Sequence, residues 1–367
     1  MNESVWKIRS ALSATRKRLK EGRLTIGFMG GSITCPIPRC NWPEPVTAWF
    51  VEHFPQARIC VENASIGATG SDFAVFRAQR DIIDRNCDLV FVEYSVNDGD
   101  EPSEKRMRTR EGLLRKLLRG EGREIVIVHT YRQSMYEAMS CGEMPDSIEE
   151  FERLAEHYGI SSVWMGLYAF EEIKRGRMRW DEWLPTDNLH PTNRGSLSYA
   201  QSVTAFLEKE LLAQPCDAAN KRAASLPEAL NVQNWENVTE IDLSTVQLSG
   251  PWSLRRSHQL VAMDRFLFTS AVGARLSFPF EGRGLCLAFD FGKDSSEFRY
   301  RFDKGEWKDM VRDRQPWCPA TGGWYRPCVI GEDLDPGEHA FELEVTHGNV
   351  EGALGTNFYL GKIGVIR

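Results

Sequence analysis

"LTIGFMGGSIT", residues 24–34, opens as an apolar run and closes in two glycines, a serine and a threonine. Leu, Ile and Phe at this density read as a strand buried on both faces, the mark of a parallel sheet rather than a half-solvated antiparallel one. Parallel strands need crossover connections, so helical segments should follow. They do. Apolar runs recur at 58–63, 88–94, 124–130 and 160–165, each reading as a buried strand. Between them, 44–54, 71–85, 103–119 and 147–158 carry apolar residues every three or four positions, and a last helix is expected over 193–212. The alternation predicts an α/β unit with helices on both faces of a parallel sheet.

From 213 to 231 the text becomes "AQPCDAANKRAASLPEALN", which reads as a linker. Beyond it the periodicity switches to two: "RLSFPF", "LCLAFDFG", "EFRYRFD" and "HAFELEV" alternate apolar and polar residues between Gly, Pro and Asp turns. The expected organisation is an α/β unit over 1–212, a linker over 213–231 and a smaller, jelly-roll-like β-sandwich over 232–367.

A chain of 367 residues with 42% hydrophobic content can build both cores. Its formal net charge of -7 supplies no field to hold a phosphate backbone, so nucleic acid is not an expected partner. The basic run 15–20, "TRKRLK", reads as a solvated helix face. The N-terminal residues contain no apolar h-region and no apolar stretch reaches membrane-spanning length, which points to a cytoplasmic protein without a membrane partner. Nine cysteines without a CxxC pair fit free thiols better than a disulfide framework or a structural zinc site.

Ligands of open α/β sheets bind beyond the carboxyl ends of the strands, and Ser32 follows the first strand directly. The second strand leads into "NASIGATGS" (63–71), whose glycines can turn backbone N–H groups toward a ligand, and the third into "SVND" (95–98). After the fifth comes "PTDNLHPTN" (185–193), with Asp187 three residues before His190. Together they supply the parts of an acyl-transfer site. A serine hydroxyl needs an imidazole to take its proton, and the imidazole needs a carboxylate to fix its tautomer, which assigns Ser32, His190 and Asp187. Oxyanion donors would be the Ser32 N–H, an N–H of the Gly67–Ala68 turn and the Asn97 side chain. Gly31, His129 and Trp324 are candidate substrate-lining residues. For His129 the simpler alternative is a satisfied polar group at a strand end. Trp324 belongs to an aromatic group with Trp307, Trp317 and Tyr325 that could either stack on sugar rings or sit in the sandwich core.

The ordered blocks "GGSIT", "NASIGATGS", "SVND" and "DNLHP" resemble those of the SGNH hydrolases, also called GDSL esterases and lipases. The resemblance covers residues 24–211. It implies a flavodoxin-like fold, the Ser32, His190 and Asp187 triad, and ester hydrolysis without a metal or other cofactor. One departure is Gly31, where the family's serine block usually carries aspartate. A second is that the oxyanion glycine can align with Gly67 or Ala68. The pairing with a sandwich domain directs the substrate expectation to a small-molecule or oligosaccharide ester, an O-acetyl sugar first. Lipase, thioesterase or acyltransferase chemistry on the same scaffold is the alternative, as is a carbohydrate-binding protein without catalysis. Phosphate binding is disfavoured because Pro36 and Pro38 oppose a helix directly after Ser32 and no P-loop lysine is present.

Overall fold

The computed structural model describes residues 5–35, 41–119, 122–213, 226–256, 263, 265–310, 314, 316, 325–347 and 354–367. They form two compact units, Met1–Glu236 and Asn237–Arg367.

In the first unit the elements run β1 (Trp6–Lys7), α1 (Ser13–Lys20), β2 (Arg23–Gly30), α2 (Pro43–His53), β3 (Arg58–Asn63), α3 (Ser71–Ala78), β4 (Leu89–Glu93), α4 (Ser103–Leu118), β5 (Glu124–Val128), α5 (Tyr136–Ser140), α6 (Asp146–His157), β6 (Ser161–Val163), α7 (Met165–Lys174), α8 (Trp180–Trp183) and α9 (Asn193–Leu207). The sheet order is β1-β6-β5-β4-β2-β3. Strands β2 to β6 are parallel, and β1 adds an antiparallel edge to β6. This is a doubly wound order of the flavodoxin-like kind that the resemblance implies, with its switch point between β2 and β4. The central strands are sealed on both faces, and every residue of β4 and β5 is buried. Strand β3 departs from the expected buried pattern: it closes the free edge of the sheet, and Val61 there is 40% exposed. The basic run 15–20 lies on α1, turned outward except at Thr15 and Leu19. Among the described residues, no helix is long and apolar enough to cross a membrane.

The second unit is antiparallel throughout its named strands. It contains β7 (Thr239–Glu240), β8 (Gln247–Ser249), β9 (Ser253–Arg256), β10 (Arg265–Thr269), β11 (Arg275–Gly282), β12 (Gly284–Asp290), β13 (Glu297–Phe302), β14 (Lys308–Met310), β15 (Tyr325–Gly331), β16 (Gly337–Thr346) and β17 (Phe358–Ile366). One sheet has the order β15-β12-β17-β10-β9, with β7 on β17, and the other β14-β13-β16-β11-β8. Leu285, Leu287, Phe289 and Phe358 of the first meet Leu276, Phe298, Phe341 and Leu343 of the second in one apolar cluster, which makes the unit a sandwich.

The expected linker ends too late. Residues 226–236 do not lead into the sandwich but lie along α4. Leu230 and Asn231 donate their N–H groups to Glu111 at 2.6 and 2.8 Å, and the Trp235 N–H donates to Arg108 O at 3.1 Å. Trp235 is buried, with its ring against Phe76. Gly112 permits this: a Cβ there would lie 2.6 Å from the Trp235 backbone. The second unit therefore starts at Asn237 rather than 232.

Candidate active site

A doubly wound sheet offers its ligand crevice outside the carboxyl ends of the strands flanking the switch point. Here those strands are β2 and β4, and each runs straight into residues singled out by the sequence.

Ser32 stands two residues beyond β2, in a turn where the Thr34 and Cys35 N–H groups donate to Gly31 O at 3.2 and 3.0 Å. Asn41 Nδ2 donates to Ser32 O at 3.2 Å, and Asn63 Nδ2 to Thr34 O at 2.9 Å. Below the turn, Phe28 and Phe91 stack at 5.3 Å while Trp42 meets both edge-on and donates from Nε1 to Thr34 Oγ1. The nucleophile candidate is thus seated on a packed aromatic trio, not on a free loop.

The two glycines are demanded by close approach. A Cβ on Gly30 would lie 2.9 Å from Thr34 Oγ1 and 3.0 Å from Glu93 O. One on Gly31 would fall 1.9 Å from Asn97 Oδ1, so the Asn97 amide occupies the space where any side chain at 31 would begin. Gly31 is itself buried, packed against Asn97. Gly31→Ala should push Asn97 out of place and cost about 1–3 kcal/mol of stability, as overpacking does. Gly67→Ala should cost little, because its Cβ would meet Ser32 Cβ at an ordinary 3.5 Å. Denaturant unfolding of both variants checks the contrast, and equal stability of the two would refute it.

The third part is the loop between α8 and α9. Thr192 closes it by donating its N–H to Trp183 O at 2.9 Å, and its hydroxyl caps α9 by accepting the Gly195 N–H. Pro191 keeps His190 out of the helix. Asn188 takes a left-handed φ of 54°, which asparagine tolerates better than most residues. The turn this makes brings Asp187 Oδ1 to the N–H groups of Leu189 and His190, at 3.1 and 2.8 Å. Asp187 Oδ2 accepts from His190 Nδ1 at 2.6 Å, and His190 Nε2 lies 2.6 Å from Ser32 Oγ. Partial burial alone would raise the Asp187 pKa. The hydrogen bonds from the His190 backbone, the His190 ring and the Leu189 backbone outweigh it and hold the carboxyl below its ordinary range.

The glycine block reaches the same place. The Ala64 and Ile66 N–H groups donate to Phe28 O and Gly30 O at 2.8 and 3.0 Å, extending the β2–β3 ladder up to Gly67. Ala68 follows in a left-handed conformation, φ 57°. The asparagine and glycine blocks are locked together by Asp98, whose Oδ1 accepts the Ser71 N–H and whose Oδ2 accepts Arg110 Nε, both at 2.8 Å. The Asp98 and Arg110 side chains are 3% and 0% exposed. Arg110 also donates to Tyr94 O, Ser147 O and Ser147 Oγ, so each nitrogen of the buried guanidinium has a partner.

The structure therefore brings Ser32, His190 and Asp187 into one relay, with Gly31, Gly67 and Asn97 against the serine turn. His129 is not a lining residue. It is 1% exposed, its Nδ1 meets Ser95 Oγ at 2.7 Å and its Nε2 meets Glu152 Oε1 at 2.8 Å. Burial lowers its pKa, and because both faces of β5 are covered the position is buried whichever face it takes. Tyr131 is buried as well, whereas Arg132 reaches the surface and pairs with Asp100. Trp324 and Trp317 lie outside the described residues. Sequence reasoning missed Asn41, Glu93, Asp98 and Arg110. The readable signal was a glutamate closing the apolar run "LVFVE", because a buried charge needs a reason.

No protein-family model matches the chain, and comparison with curated proteins finds no match. Among solved structures, the chain is similar to a two-domain esterase active on acetylated mannans, co-crystallised with mannopentaose. The identity is 24%, the TM-score 0.81, and the match covers 99% of this chain and 97% of that one. A second structure of a two-domain esterase active on acetylated mannans matches at 24% identity and a TM-score of 0.81, covering 97% of each chain. The fold is that of a two-domain esterase. It agrees with the expectation of a three-layer α/β unit followed by a β-sandwich.

Proposed function

We propose that the chain is a serine esterase that removes small acyl groups, acetyl first, from a carbohydrate. The observation that carries this reading is the unbroken relay from Ser32 Oγ through His190 to Asp187, 2.6 Å at each link. In the reaction, His190 Nε2 takes the hydroxyl proton as Ser32 Oγ attacks the ester carbonyl. Asp187 holds the ring in the required tautomer and balances its charge once it is protonated. The tetrahedral oxyanion receives the Ser32 N–H, an N–H of the Gly67–Ala68 turn and the Asn97 side-chain amide. Gly67 is the favoured donor of that turn, since it lies against Ser32 while Ala68 is one residue further out. Collapse releases the sugar alcohol, which takes its proton from His190. Water, deprotonated by the same imidazole, then attacks the acyl carbon; the Ser32 Oγ–acyl bond breaks, His190 returns the proton to Ser32 Oγ, and the acid departs and ionises in solvent.

An acetylated mannan or manno-oligosaccharide is the substrate to try first, because the two-domain esterases of like fold act on acetylated mannans. Purified protein should release acetate from it and should be labelled at Ser32 by a fluorophosphonate probe. Absence of both labelling and acetate release across acetylated manno- and xylo-oligosaccharides would sink the reading. Activity should survive excess EDTA.

The pH profile follows from the relay. A carboxyl held below its ordinary range keeps its charge as pH falls from neutrality, and its contribution to the fold is lost only as pH drops through that lowered value. Asp187 thus stays ionised in mild acid, and general-base catalysis needs the unprotonated form of the imidazole it orients. kcat/KM should rise with pH from mild acid to neutrality with the protein folded throughout. A flat profile, or a loss that tracks unfolding by circular dichroism, would contradict the base role.

A further inference from the structure

Position 31 has no side chain, yet a carboxyl reaches the nucleophile turn from the neighbouring strand. Glu93, the last residue of β4, pairs in the ladder with Gly30 and is fully buried. Its Oε2 accepts the Gly31 N–H at 3.4 Å and the Thr34 hydroxyl at 3.1 Å, and its Oε1 accepts the Thr130 hydroxyl at 2.7 Å. The ends of β2, β4 and β5 are thereby joined beneath Ser32. The same Thr34 hydroxyl takes the Trp42 indole N–H, so the carboxyl, the threonine and the aromatic trio form one connected support.

Among the described residues Glu93 has no cationic partner. Burial, and to a lesser degree the like charge of Asp98, raise its carboxyl to about 7. A buried, unpaired carboxyl is costly, and here all its hydrogen bonds go to the turn and to the adjoining strand end. We propose that Glu93 is a positioning residue for the nucleophile: by holding the Gly31 N–H and the Thr34 hydroxyl, it sets the turn that aims Ser32 Oγ at His190 Nε2. The inference rests on the reading of Ser32 as nucleophile. Glu93 itself touches neither substrate nor the reacting atoms. It takes from β4 the structural place that a side chain at 31 cannot fill, because Asn97 lies there.

The test compares Glu93→Leu, Glu93→Gln and Ser32→Ala in the full chain, reading kcat and KM for p-nitrophenyl acetate, the rate of fluorophosphonate labelling, and thermal melting. Glu93→Leu should lose about a hundredfold in kcat and in labelling rate at nearly constant KM, the cost of a nucleophile misplaced by about 1 Å. Glu93→Gln should recover to within about tenfold of the parent, since its amide oxygen can accept from Gly31 and Thr34 while its NH2 donates to Thr130 Oγ1. Glu93→Leu turning over and labelling at the parental rate, beside an inactive Ser32→Ala, would overturn the inference and leave the esterase reading intact. So would an equal fall in both Glu93 variants that matches their loss of folded protein. If Glu93→Leu does not fold, Thr34→Val decides: about a tenfold drop in kcat at constant KM is expected, and an unchanged kcat overturns the proposal. An active Ser32→Ala would instead remove the nucleophile itself.

Discussion

Ser32→Ala should abolish ester hydrolysis almost completely, by about a millionfold in kcat if the relay acts as a unit as triads do. The fold should persist, because the lost hydroxyl contacts only His190 Nε2 among the described residues. His190→Ala should fall as far, and the double variant scarcely further, since each removes the same proton transfer. Asp187→Ala should lose less: the imidazole still reaches Ser32 but samples the wrong tautomer for part of the time. Retention of activity within tenfold in Ser32→Ala would mean that the 2.6 Å contact is a structural hydrogen bond and that the chemistry lies elsewhere.

Asn97→Ala should lower kcat by about a hundredfold to a thousandfold while KM changes little, because the amide meets a charge that exists mainly in the transition state. Its link to Gly31 sharpens the test. The Gly31 Cβ and the Asn97 amide cannot occupy the same space, so Gly31→Ala should reproduce most of the Asn97→Ala loss, and combining them should add little. Fully additive losses would place the two residues in separate roles. A pure KM effect in Asn97→Ala would assign the amide to ground-state binding.

The parallel strands and the relay were legible because each rests on a local signal. Dense apolar runs mark strands buried on both faces, and a serine just past the first long strand meets a carboxylate and a histidine carried by the loop before the last helix. What escaped was set by partners far away in the chain. Arg110 sits in "RMRTREGLLRKLL", a helix that reads as well solvated, yet it is fully buried because Asp98 and three oxygens of Tyr94 and Ser147 wait for it. Glu93 ends an apolar run whose pattern gives no hint of the hydroxyls at Thr34 and Thr130. His129 shows the converse: a polar group at the rim by sequence position, buried beside a strand covered on both faces and held by Ser95 and Glu152. β1, only two residues long, is too short to leave a periodic trace.

The strap formed by residues 226–236 bears on how the polypeptide can be dissected. A fragment stopped at 212, where the periodic helix pattern ends, would keep every member of the relay but uncover the hollow over Gly112 and leave Phe76 without the indole that covers it. It would also strip Glu111 of the two amide donors it holds at 2.6 and 2.8 Å, and Arg115 of its ion pair with Glu236. Loss of activity in such a fragment would then report a frayed α4, the helix that carries Arg110, rather than any need for the sandwich. A cut after Glu236 is the one that asks what the second unit contributes.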